Sequence, residues 1–161
     1  MTKLALIILI LLSLVLLSCD TDDDYTLSQK EIRDILYDIS LDFNLGNTFG
    51  IMNHVHQEYL HKGEFSWHLN EEILDRMGRF QLLEIEVLFI EFNGNYAVAH
   101  TRDHYKSSLE DYTYNEPEDT GYFSYFYRSG GSWLIYGNQR WMMKSANVSE
   151  KPQVRTEDGA F

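Results

Sequence analysis

From Leu82 onward the apolar residues change period. Before that point they recur every three or four residues, as on one face of a helix. Between Leu82 and Met142 they alternate every second residue, as in strands packed on one side. Two turn signals cut the alternating part. Asn93-Gly94 links Leu82–Phe92 to Tyr96–Lys106, and Ser129-Gly130-Gly131-Ser132 links Tyr122–Arg128 to Trp133–Met142. Residues 107–119 are polar and acidic, contain Pro117, and read as a loop. Two hairpins behind a helical half predict an α+β domain, in which a curved antiparallel sheet lays its apolar face on three N-terminal helices.

Those helices have their own boundaries. Ser28-Gln29-Lys30-Glu31 is a capping box with Ser28 as N-cap, and Ile32, Ile35, Leu36, Ile39 and Phe43 form the buried face of the helix behind it. Asn44-Leu45-Gly46 supplies its stop. A second helix is expected from Asn47, burying Ile51, Met52, Val55 and Tyr59 and ending at Gly63. Residues Glu64–Leu69 read as a short extended piece. Asn70 can cap a third helix that carries Glu71 and Glu72 in its first turn and Arg76 and Arg79 near its end, a charge order that suits the macrodipole.

The N-terminus is of another kind. Lys3 precedes a run, Leu4–Leu17, that is apolar except for Ser13, shorter than a spanning helix and followed by acid. Leu16-Leu17-Ser18-Cys19 resembles the bacterial lipobox. The resemblance implies cleavage before Cys19 and lipidation of that cysteine, the only one in the chain, with several acyl chains giving a stable membrane anchor. The expected organisation is a lipoprotein signal peptide over 1–18, an acidic tether over 19–26, a domain over 27–144 and a polar tail over 145–161. Localisation follows as the cell envelope, lipid-anchored and extracytoplasmic, with inner against outer membrane open. A single cysteine excludes an intrachain disulfide. A formal charge of −12 argues against nucleic acid as a partner.

The element order resembles the NTF2-like superfamily, over about residues 27–143. Two short stretches are similar to its SnoaL-like members: His56-Gln57-Glu58-Tyr59-Leu60-His61-Lys62-Gly63, and Gly131-Ser132-Trp133-Leu134-Ile135 at the opening of the last strand. The resemblance implies a cone, in which the bent sheet wraps the helices. It also implies the activities found in that superfamily: none in many members, and acid–base catalysis by a carboxylate or His base opposite a Tyr or a protonated acid in others.

Six histidines, His54, His56, His61, His68, His100 and His104, raise the question of a metal. His100 and His104 share one strand face but lie about 13 Å apart. His54 and His61, if helical, are about 10 Å apart along the axis. They read as rim histidines, and neither metal nor cofactor is expected. In Tyr96–Lys106, His100, Arg102 and His104 share one face, while Thr101, Asp103 and Tyr105 share the other. Whichever face turns inward is a candidate site, although the preferred reading is that the strand projects past the core into solvent from about Arg102. The aromatics of Tyr122–Tyr127, with Trp133, Tyr136 and Trp141, read first as packed core and second as the wall of a pocket.

Candidate ligand-binding residues are therefore Tyr59, His100, Arg102, Asp103, Tyr125 and Tyr136, with Cys19 as the lipidation site. The expected function is non-catalytic binding of a small apolar or amphipathic molecule, or an accessory role. The alternatives are an acid–base isomerase, dehydratase or hydrolase, with His100 or Asp103 opposite Tyr59, and a protein-interaction module. Expected partners are the small ligand, the membrane through the anchor, and a second copy of the chain.

Overall fold

The structure is a computed structural model and describes residues 21–139. The expected signal peptide, Cys19, the end of the last strand at 140–142 and the tail lie outside the described residues. Three helices precede the sheet: α1 (Thr21–Asn44), α2 (Thr48–Asn53) and α3 (Ser66–Arg79). A two-residue hairpin, β1 (Leu60–His61) with β2 (Glu64–Phe65), sits between α2 and α3. The main sheet contains β3 (Leu82–Asn93), β4 (Tyr96–Lys106), β5 (Asp111–Glu116), β6 (Tyr125–Ser129) and β7 (Ser132–Ile135).

Helix α1 starts at Thr21, ahead of the boundary that the capping box predicts and through most of the stretch expected to be tether. Glu31 accepts a hydrogen bond from the Trp133 backbone N–H at 2.9 Å, so a distant strand uses the carboxylate that the capping box assigned to Ser28. The buried face is as the period requires, with Ile32, Ile35, Leu36, Ile39 and Phe43 all in the core. Gly46 takes φ +70 at the C-terminal stop. Asn44 then fixes the helix to the sheet: its amide accepts from the Leu83 N–H at 2.7 Å and donates to the Leu83 carbonyl at 3.2 Å.

Two helix boundaries differ from expectation. Helix α2 is capped by Asn47, whose side chain accepts from the Gly50 N–H at 3.1 Å, but it ends at Asn53 and not at Gly63. The chain leaves it to pair with β7. The His56 N–H donates to the Ile135 carbonyl at 2.9 Å, and the Ile135 N–H donates to the His54 carbonyl at 2.8 Å. Long-range backbone pairing overrides the local apolar spacing, so His54 and His61 share no helix. Helix α3 starts at Ser66 and not at Asn70, because His68 Nδ1 accepts the Phe65 N–H at 3.0 Å and does locally what a Glu or Gln does in a capping box.

Strand β4 is the spine of the sheet. It pairs with β3 along its whole length on one side, while on the other β6 takes Tyr96–Val98 and β5 takes Thr101–Lys106. The expected loop over 107–119 thus contains a strand, and its Tyr112, Tyr114 and Glu116 alternate with polar residues at period two. A register shift between Val87 and Phe89 marks a bulge in β3, which adds to the curl of the sheet. Helix α1 crosses the concave face. At one end Phe43 meets Tyr105 with ring centroids 5.6 Å apart, and at the other Tyr25 meets Phe92 at 5.5 Å.

Candidate functional site

The inner face of β4 carries Ala97, Ala99, Thr101, Asp103 and Tyr105, all buried. The outer face carries Val98, His100, Arg102 and His104. The expectation that the strand enters solvent from Arg102 therefore holds for one face only. Asp103 is 3% exposed and Tyr105 1%. The tethering of α1 to β3 at Asn44 and Leu83 holds the helical layer over this end of the strand.

Asp103 Oδ1 accepts a hydrogen bond from Thr101 Oγ1 at 2.6 Å. Burial pushes its carboxyl up to about 7; nearby Glu116 adds to the rise, while the Thr101 bond and Arg76 oppose it. Glu116 lies across from Thr101 on β5 and is also buried. It accepts the Thr120 N–H at 3.1 Å, the Thr120 hydroxyl and the Gly121 N–H. Burial raises its carboxyl above the ordinary range against these bonds.

Arg76 is the cation of this interior. Its helix face is the one that buries Leu69 and Ile73. Nε donates to Glu72 Oε1 at 2.7 Å, and the side chain is 11% exposed. The guanidinium carbon lies 4.9 Å from the Tyr105 ring centre and 5.2 Å from those of Tyr114 and Tyr122, three aromatic faces that suit a poorly hydrated cation. Tyr105, beside it, and Tyr59, within electrostatic reach of Tyr122 and Glu116, are both buried, with hydroxyl protons that find no acceptor among the described residues. Arg76 lies close to the Tyr105 hydroxyl, but a guanidinium has only donors and leaves that proton unused. Burial raises both phenols well above their ordinary value, so both hydroxyls carry their protons and can donate.

A recess of about 310 Å³, bordered by Glu64, His68, Glu71, Glu72, Asp75 and Tyr122, adjoins this cluster. Glu72 and Tyr122, the partners of Arg76, are among its lining residues. The chemistry available is hydrogen-bond donation by two phenols and by a carboxyl that holds its proton near neutral pH, behind an acidic approach that disfavours anions.

The six expected ligand-binding residues divide. Tyr59 and Asp103 lie inside, each within electrostatic reach of Glu116. Tyr59 reaches that position from the segment before β1, not from helix α2. The others lie elsewhere. His100 stacks on Phe89 on the outer face, with ring centroids 4.1 Å apart, and has Glu91 and Glu118 at 3.9 and 3.8 Å. Arg102 pairs with Glu86 on the same face at 2.8 Å. Tyr136 joins an outer group with His56 and Tyr127, at ring distances of 5.1 and 5.0 Å. Tyr125 borders a second recess of about 210 Å³ with Val98, Gly137 and Asn138. Of the expected aromatic wall, Phe123, Phe126 and Trp133 are core.

Sequence reasoning assigned no site role to Arg76, Tyr114 or Glu116, and included Tyr105 only as part of one of two alternative strand faces and Tyr122 only as part of an aromatic wall. Spacing could have found two of them. Arg76 falls on the Leu69–Ile73 stripe, and Glu116 falls in phase with Tyr112 and Tyr114. Among the described residues no three His, Cys, Asp or Glu side chains converge as a metal site would require.

His61 is buried and structural. Its Nδ1 accepts the Asn138 N–H at 3.2 Å, which leaves Nε2–H to donate to the Thr120 carbonyl at 2.8 Å. Burial lowers its pKa. It thereby ties the turn that Glu116 organises to the segment following β7.

No family model matches the chain, and no curated protein matches it in sequence. Solved structures do. Rv3472 of Mycobacterium tuberculosis, a protein of unknown function, is 12% identical with a TM-score of 0.56, over 74% of each chain. A protein named Rd1NTF2_05, carrying substitutions, is 10% identical with a TM-score of 0.52, over 73% of this chain and 96% of its own. A candidate scytalone dehydratase from Novosphingobium aromaticivorans is 10% identical with a TM-score of 0.51, over 73% and 85%. Together with three helices laid against a curled antiparallel sheet, these likenesses establish that the chain has the α+β cone of the NTF2-like fold.

Proposed function

We propose that the chain is a lipid-anchored envelope protein whose cone binds a small, neutral, amphipathic molecule through a hydroxyl or carbonyl group. One observation carries the binding reading: the hydroxyl protons of Tyr59 and Tyr105 are buried without an acceptor, and Tyr122, whose ring packs on Arg76 as that of Tyr105 does, lines a recess of about 310 Å³. A buried donor without an acceptor is costly and rare, and a bound ligand is one way to satisfy it. Two buried carboxyls, and an Arg76 already held by Glu72, make the interior a poor host for an anion. The anchor rests on Leu16-Leu17-Ser18-Cys19 directly behind the apolar run.

The test is a thermal-shift screen of the chain from residue 19, with Cys19→Ser, against neutral alcohols, ketones, sterols and fatty alcohols. A ligand at one hundred times its Kd stabilises by about 2.7 kcal/mol. A panel without stabilisation, or one in which only anions stabilise, defeats the reading. The anchor is tested separately by incorporation of labelled palmitate, which Cys19→Ala should abolish.

A second reading has its own observation. A carboxyl at about 7 is poised to exchange a proton at neutral pH, and Tyr59 can polarise a carbonyl nearby. With a candidate scytalone dehydratase among the structural neighbours, dehydration or enolisation of a small carbonyl compound fits this arrangement. Deuterium uptake by such compounds in heavy water, lost in Asp103→Asn, would favour it over simple binding.

A further inference from the structure

We infer that the domain stands on the membrane by the tips of its two hairpins, with the Asp103 end of the cone held away from the bilayer and facing water. This rests on the proposed lipidation of Cys19.

Helix α1 begins at Thr21, so the sequence places a single residue, Asp20, between the anchor and the helix. An anchor that close leaves the domain little freedom to turn over, and the end of the fold nearest Thr21 must lie at the lipid surface. Ring contact of Tyr25 with Phe92 identifies that end, since Phe92 is next to the Asn93-Gly94 turn. The second hairpin tip is beside it, because the Arg128 N–H donates to the Asn95 carbonyl at 2.8 Å. The candidate site is at the other end. Phe43 touches Tyr105 there, and α1 rises about 33 Å from Thr21 to Phe43.

The composition of the near end fits a lipid headgroup layer. In a chain of net charge −12, residues 92–99 hold no charge and Arg128 is the only charged residue from 125 to 136. Tyr96 and Tyr127 pack with ring centroids 5.0 Å apart, and Tyr127 packs on Tyr136 at 5.0 Å, all half-buried on the outer face. Tyrosines of this kind, apolar in body and polar at the tip, favour the membrane interface. Apart from Asp22–Asp24 at the anchor and Glu91 behind Phe92, the acids named for the sheet and recess lie toward the far end: Glu64, Glu71, Glu72 and Asp75 at the recess, and Glu110 and Asp111 at the start of β5. The consequence for function is that the ligand reaches the cone from the aqueous side and is not drawn laterally out of the bilayer.

The acylated full-length protein offers a clean test, because lipidation blocks its only native thiol. Single cysteines are introduced at exposed positions, Asn95→Cys at the near end and Leu109→Cys at the far end, where Leu109 is 92% exposed. Each carries an environment-sensitive fluorophore, and the protein is reconstituted in phosphatidylcholine vesicles containing a headgroup-level nitroxide lipid. Zwitterionic lipid is used because Asp22, Asp23 and Asp24 would be repelled by an anionic surface. The expected result is quenching at Asn95→Cys at least fivefold greater than at Leu109→Cys. Vesicle-bound protein with equal quenching at both positions, at neither, or mainly at Leu109→Cys overturns the orientation while leaving the anchor intact. Protein that does not float with vesicles and takes up no palmitate overturns the anchor itself.

Discussion

Replacing Asp103 with Asn keeps the shape of the side chain and the acceptor that Thr101 uses, and removes the ionisable proton. The effect on stability depends on pH in a direction that can be worked out. Asp103 titrates at about 7 when folded, against 3.8 for an exposed aspartate. Below pH 4 both states hold the proton and the group is indifferent. Between pH 4 and 7 the folded state holds a proton that the unfolded state has released, so stability falls as pH rises. A tenfold change in proton affinity is worth about 1.4 kcal/mol, so the move from 3.8 to about 7 amounts to about 4 kcal/mol lost across this window. Asp103→Asn has no such slope. Urea unfolding of both proteins, followed by tryptophan fluorescence at half-unit steps from pH 4 to 8, gives the difference directly. The variant should be equal to or less stable than the parent at pH 4, and should gain on it by up to about 4 kcal/mol by pH 8. Glu116 and His61 titrate in both proteins, so their contributions largely cancel. A stability difference that stays constant within about 0.5 kcal/mol over this range would refute the burial of a proton-holding carboxyl.

Other perturbations probe the same frame. The lowered pKa of His61 means that its share of stability is present above about pH 6.5 and is lost as pH falls and the unfolded state takes up the proton; His61→Phe should flatten this acid limb in the same urea series. Arg76→Ala removes the ion pair to Glu72 and the packing against three tyrosines, and should cost about 3 kcal/mol by urea unfolding at pH 7. Arg102→Ala, on the outer face with an exposed partner, should cost under about 1 kcal/mol in that assay. Gly137 sits at φ +77, with the Leu60 carbonyl where a Cβ would go, so Gly137→Ala should cost about 3 kcal/mol and lower the melting temperature by several degrees.

What the sequence made legible was whatever local period and turn chemistry decide. The α1 face from Ile32 to Phe43, the Gly46 stop, the Asn93-Gly94 hairpin and the full span of β4 follow from residue order alone, because no distant contact competes with them. Boundaries failed where distant backbone intervened. Helix α2 ends early because residues 54–56 pair with β7, and β5 hides among polar residues because most of its side chains are exposed. The site was half legible. Two faces of β4 could be read, but which face turned inward depended on how β5 and α1 close over it. Arg76 looked like a helix-terminal charge because a single helix cannot reveal that Tyr105 and Tyr114 of the sheet and Tyr122 of the turn before β6 will surround it. The aromatics of β6 and β7 divided between core and outer face, so that Tyr125 borders the second recess and Tyr136 joins the outer aromatic group, a division that alternation alone does not orient.

The most direct measurement is a crystal structure of the chain from residue 19 with the strongest ligand from the thermal-shift screen. The expected result is ligand density inside the cone, with a polar atom within hydrogen-bond distance of Tyr59 or Tyr105 and of Asp103. Density on the convex face instead, beside His100 or Tyr136, with the Tyr59 and Tyr105 hydroxyl protons still without an acceptor, would contradict it.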